Sequence, residues 1–113
     1  MIELRSGFVG DDQLVLTMEG HADGERTIAG DLVCCAASML CQTLVQRLHD
    51  LQRMGMVHIV KSDLQPGDAK LQAIAYPEYT GVLRNTYDTI MAGMLLIEHQ
   101  YPQCLQTADL QNE

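Results

Sequence analysis

The chain has 113 residues, 47% of them apolar, which fits one domain, residues 1–113, with a hydrophobic core of its own. A formal net charge of -8, from 15 acidic against 7 basic residues, argues against nonspecific nucleic-acid binding, which needs a basic face, and is compatible with a basic partner. With no Trp and Phe8 as the sole Phe, that core must be built from Leu, Ile, Val, Met and Ala.

Ile2 to Phe8 reads as a first strand, with Ile2, Leu4 and Phe8 as its apolar positions. Gly10, Asp11 and Asp12 supply a turn. Leu14 to Met18 follows as a second strand, where Leu14, Leu16 and Met18 share a face by the two-residue period. The pair is expected to form an antiparallel hairpin, with His21 just past its exit.

Asp23 to Gly30 is polar and contains glycine, so it reads as a connection. Leu32 to about Met54 then carries Val33, Ala37, Leu40, Leu44, Leu48 and Leu51 at spacings of three and four, the stripe of an amphipathic helix. Asp31 suits its N-cap, which would put Cys34 in the first turn, where exposed N–H groups and the helix dipole favour a thiolate. Gly55 is its stop.

Val57 to about Lys61 and Lys70 to Ala75 read as two more strands around the turn Gln65-Pro66-Gly67-Asp68, although their apolar alternation is imperfect. Leu83 to about His99 is a second helix whose buried face holds Leu83, Tyr87, Ile90, Met91, Met94 and Ile97. Gly93 lowers helix propensity and suits close helix packing. Tyr101-Pro102 closes the helix, and Asp109 to Glu113 reads as a frayed end. The order strand-strand-helix-strand-strand-helix predicts an α+β, two-layer domain with helices packed on a small, mostly antiparallel sheet.

Chemistry concentrates between Gly20 and Leu51. His21 and Cys34 stand at the two ends of one short loop, the raw material of thiol nucleophilic catalysis. Alone, His21 reads as an ordinary loop histidine, and Cys34 reads equally as a buried structural thiol or as a nucleophile. Their pairing favours catalysis, with Cys34 attacking a carbonyl and His21 moving the proton. Backbone N–H groups near the helix start or the Gly30 turn would meet the oxyanion. Asp31 either caps the helix or orients His21, and Ser38, one turn beyond Cys34, bonds its own helix or supports the site. Gly24, Glu25 and Arg26 lie in a loop suited to closing over a peptide. Cys35 reads as a packing residue, and Cys41 and Cys104 as core or near-core thiols. His49, His58 and His99 lack a metal-ligand spacing, so neither metal nor other cofactor is expected. Neither a signal peptide nor a membrane-length apolar run stands out, which points to the reducing cytoplasm and to no membrane partner.

These residues carry a resemblance. Gly20-His21-Ala22, Asp31-Leu32-Val33-Cys34, Ala36 and Ser38, with Gly93 and Tyr101-Pro102, resemble the ribosomal-processing cysteine protease (Prp) family. The resemblance implies a homodimeric α/β protein, His21 and Cys34 as the catalytic pair, and removal of an N-terminal extension from a bacterial large-subunit ribosomal protein precursor. Cys35, where the family usually has Ala, and the loop residues Glu25 and Arg26 depart from the pattern and bear on substrate preference. The competing readings are a phage-related protease with another substrate, or a non-catalytic peptide-binding or assembly domain.

Overall fold

The computed structural model describes residues 1–20, 28–65 and 67–110. Strands β1 (Ile2–Val9) and β2 (Gln13–Glu19) lead to helix α1 (Ile28–Arg53). Strands β3 (Val57–Gln65) and β4 (Asp68–Ala75), a 3-10 turn (Pro77–Tyr79), helix α2 (Thr80–Gln100) and strand β5 (Leu105–Asp109) follow. The two helices pack on one mixed sheet of order β3-β4-β2-β1-β5, the expected α+β architecture.

The first hairpin has the expected register, with Leu4 opposite Met18 and Phe8 opposite Leu14. The fifth strand is an addition to the expected order. It pairs parallel to β1, Ile2 opposite Leu105, so Asp109 is a strand residue and not part of a frayed end. Glu98 of α2 holds this edge strand, accepting the Thr107 N–H and the Thr107 hydroxyl, each at 2.8 Å. An edge N–H that meets a carboxylate is closed to a foreign strand.

The core lies between the sheet and the helices. Leu4, Leu14, Leu16, Leu71 and Ala73 meet Val33, Ala37, Leu44, Leu48 and Leu51 of α1 and Leu83, Ile90 and Met94 of α2, all buried. Full burial of such a side chain is worth about 1.5–3 kcal/mol, so the stripe on α1 is the main tie between the layers. Leu40 leaves that stripe to pack on Gly93 of α2, whose added Cβ would stand 3.0 Å from Leu40 Cδ1. Close helix approach is therefore the role of Gly93.

Three expectations need correction. The first helix begins at Ile28, not after Asp31. Cys35 is exposed and not a packing residue. Helix α1 is, by length and composition, apolar enough to cross a bilayer, contrary to the expectation of no such run. Here its buried residues from Gly30 to Leu51 face the rest of the protein.

One feature of β3 positions the site. Ile59 pairs with Ala73 and Lys61 with Gln72, leaving Val60 as the extra residue of a bulge. Beyond it Ser62 pairs with Leu71 and Leu64 with Ala69. Leu71, Ala69 and Ala73 all face the core, so the bulge turns Ser62 and Leu64 toward α1 where strict alternation would turn Lys61 and Asp63.

Candidate active site

Because α1 starts at Ile28, Cys34 lies in its second turn and Asp31, exposed, in its first. Asp31 therefore does not cap the helix by preceding it; its carboxylate sits where the dipole favours negative charge. Gly30 is buried and helical, so it supplies no turn.

Cys34 is partly buried and packs against the core from its rim, while Cys35 is exposed and Cys41 and Cys104 are buried. The Sγ of Cys41 lies 3.8 Å from the Sδ of Met18 on β2. Burial pushes the Cys41 thiol up to about 11, which keeps it neutral near pH 7. It is a wall residue and not a nucleophile.

The Cys41–Met18 contact also bears on the place of Cys34. The seven positions from Cys41 back to Cys34 span about 10 Å of helix. The contact lies near the last residues of β2, and Cys34 stands toward the helix start from it. The exit of β2 is held by Gly20, whose N–H donates to the Gly67 carbonyl at 2.9 Å. Gly20 has φ +101, and a Cβ there would run into the Met1 carbonyl oxygen. The position requires glycine, and it fixes where the chain leaves the sheet.

Next to Cys34 on the same flank of α1 lies a groove of about 330 Å³. Ser38 and Gln42 border it from the helix, Met18 and Cys41 line it, and Leu64, Gln65 and Ala69 close it from the β3–β4 hairpin. Ser38 is exposed, one turn and about 6 Å from Cys34. Of the expected site residues, Gly20 follows β2, and Gly30, Asp31, Cys34 and Ser38 lie in the first three turns of α1. His21, Gly24, Glu25 and Arg26 lie outside the described residues. Met18, Gln42, Leu64, Gln65 and Ala69 went unseen in the sequence: Met18 read as plain core, and the bulge hid the orientation of Leu64. Among the described residues no group of three or more His, Cys, Asp or Glu side chains could hold a metal ion.

A partly buried thiol on α1, one turn from Ser38 at the rim of an apolar groove, is an arrangement on which a cysteine protease can be built. The family model for the cysteine protease Prp matches residues 1–106, and the chain belongs to that family. Solved structures share the fold. The essential ribosomal processing protease Prp from S. aureus, in complex with a substrate peptide, matches with TM-score 0.70 and 12% identity over 96% of this chain and 99% of that one. The same S. aureus protease with a covalently linked product peptide gives 0.69 and 15%, again over 96% and 99%. SMU.848 from Streptococcus mutans gives 0.67 and 19% over 96% and 93%. No curated protein matches the sequence.

Proposed function

We propose that this protein is a cysteine endopeptidase that removes an N-terminal extension from a bacterial large-subunit ribosomal protein precursor. What supports the reading is family membership together with the place of Cys34 on α1, toward the helix start from the Cys41–Met18 contact near the end of β2 that leads in sequence to His21. In this mechanism His21 takes the Cys34 proton and the sulfur attacks the scissile carbonyl. The C–N bond then breaks as His21 protonates the leaving amine. Water hydrolyses the thioester, releasing the carboxylate product and restoring the thiol. Family membership supports the peptidase chemistry, and the S. aureus relative, described as a ribosomal processing protease and solved with a substrate peptide, supports the choice of substrate.

The setting is cytoplasmic and the protein a homodimer. Exposed Leu32 and Met39 on α1 and Leu95 and Leu96 on α2 support association of the helical layer. Glu25 and Arg26, which depart from the family pattern, bear on which precursor is preferred.

Incubation of the purified protein with a ribosomal protein precursor, followed by mass spectrometry, tests the assignment. A single cut near the precursor N-terminus is expected, abolished in Cys34→Ala and in His21→Ala with the fold intact. Cutting by both variants at the normal rate sinks the dyad. A precursor that binds the wild type and stays whole supports a binding domain instead. Light scattering reads the oligomeric state in the same preparation.

A further inference from the structure

We propose that Gly67 is a positioning residue for the thiol chemistry, its carbonyl oxygen fixing the backbone that leads from Gly20 into His21. The inference rests on the His21–Cys34 pairing put forward above. Gly20 stands one step past the Glu19–Asp68 pair that ends the β2–β4 ladder, and its N–H donates to the Gly67 carbonyl at 2.9 Å. On its other side the Met1 carbonyl oxygen fills the place a Cβ would take. That first peptide unit is itself held, since the Ile2 N–H donates to the Cys104 carbonyl at 2.9 Å. The two contacts create a conflict. Position 20 must be glycine, and glycine is the residue least able to keep a backbone angle unaided. Its φ of +101 decides where the Cα–C bond points, and that bond carries the chain to His21.

The restraint therefore comes from outside the residue. The hydrogen bond to Gly67 fixes the peptide plane before Gly20, and the Met1 peptide unit leaves its Cα little room to shift. Gly67 can offer its carbonyl because of its own conformation. Gln65 pairs with Asp68, so Gly67 lies in a two-residue turn, at φ +77. A side chain disfavours that left-handed angle, and the carbonyl turns with the backbone that abandons it. The tip of the β3–β4 hairpin thus restrains the residue bonded to the base.

The pH profile of Cys34 alkylation by iodoacetamide tests this on the full chain, in a Cys35→Ala background whose other cysteines, Cys41 and Cys104, are buried. Pairing with an imidazole keeps a thiolate reactive below the ordinary thiol range near about 8.5, so His21→Ala should move the profile up toward it. Gly67→Val should do the same, slowing alkylation near neutral pH roughly 10-fold to 100-fold, the scale of a small misplacement of a catalytic group. Gly55→Val puts a side chain on an equally left-handed glycine, φ +76, past the opposite end of α1, and should leave the profile unchanged. A further chain keeps the turn intact. A synthetic segment of residues 1–33 with an ester oxygen in place of the Gly20 N–H, ligated at Cys34 to residues 34–113, should match Gly67→Val. It decides the matter where Gly67→Val fails to fold, and urea unfolding shows which chains are folded. If His21→Ala leaves the profile unchanged, the pairing is wrong and the positioning role falls with it. If His21→Ala moves the profile while the ester chain keeps that of the wild type, Gly67 does not position the base and the pairing stands. If Gly55→Val moves the profile as far as Gly67→Val, general loosening accounts for both and the role is overturned.

Discussion

Leu40 of α1 rests on Gly93 of α2, with the Leu40 Cδ1 and Cδ2 atoms 3.0 and 3.2 Å from where a Cβ would stand. The contact sets the spacing of the helical layer, and two opposing effects decide what a substitution does. Gly93→Ala gains about 1 kcal/mol of helix propensity and asks the flexible end of Leu40 to move by a few tenths of an ångström. Gly93→Val adds branches that Leu40 cannot clear, and overpacking of this kind costs about 1–3 kcal/mol. Urea unfolding should find Gly93→Ala within about 1 kcal/mol of wild type and Gly93→Val clearly less stable. Equal stability of the Val variant would show that the helices can separate at that point.

The elements with clean periodicity were legible. Val33, Ala37, Leu44, Leu48 and Leu51 are buried as their spacing requires, and Leu14, Leu16 and Met18 share the core face of β2. The misses have physical causes. The fifth strand, LQTAD, has one buried apolar residue, and its pairing comes from its position beside β1 and from Glu98 on α2, neither visible locally. The third strand seemed to end near Lys61 because its alternation breaks there, and the Val60 bulge is that break. Asp31 looked like a cap because it precedes an apolar stripe. The helix takes in Ile28 to Gly30 ahead of it, which moves Cys34 into the second turn. The groove lined by Met18, Cys41 and Leu64 depends on strand register and was not legible, and His21 lies outside the described residues.

Gly20 and Gly55 separate conformational strain from steric collision. Both have positive φ, +101 and +76, but a Cβ at Gly55 meets nothing within 4 Å and one at Gly20 meets the Met1 carbonyl. Gly55→Ala should cost about 1 kcal/mol, the penalty of a left-handed conformation alone. Gly20→Ala should cost about 2–3 kcal/mol and shift the exit of β2. In a peptidase assay at a temperature where both variants remain folded, Gly20→Ala should lose far more turnover than Gly55→Ala. Matching losses would uncouple the strand exit from catalysis.

Ser6 and Tyr87 illustrate an asymmetric hydrogen bond. Their hydroxyl oxygens are 2.6 Å apart, but Ser6 is buried and Tyr87 partly open. Once Ser6 is removed, the Tyr87 hydroxyl can turn to water. Once the Tyr87 hydroxyl is removed, Ser6 keeps, among the described residues, the weak acceptor Met91 Sδ at 3.6 Å. Tyr87→Phe should therefore cost about 1–3 kcal/mol and Ser6→Ala about 1 kcal/mol or less. The double variant should fall short of their sum, since no orphaned hydroxyl remains. A larger penalty for Ser6→Ala than for Tyr87→Phe would reverse this account.

The buried Cys41 thiol makes stability depend on alkaline pH. Burial moves it from an ordinary 9.0 to about 11, so between these values the unfolded chain loses the proton and the folded chain keeps it. The folded state then binds more protons than the unfolded one, and stability falls as pH rises. Its contribution is complete below pH 9 and lost on passing about pH 11, with a difference of about 3 kcal/mol across the window. Burial raises the Tyr87 hydroxyl as well, so the wild-type profile mixes two groups with the same sign. Cys41→Ala isolates the thiol. It loses stability at pH 8 through the missing packing against Met18, and its unfolding free energy should decline less steeply from pH 9 to 11 than that of the wild type. Parallel profiles would mean that the thiol is open to water and that the floor of the groove is wetter than the Cys41–Met18 contact implies.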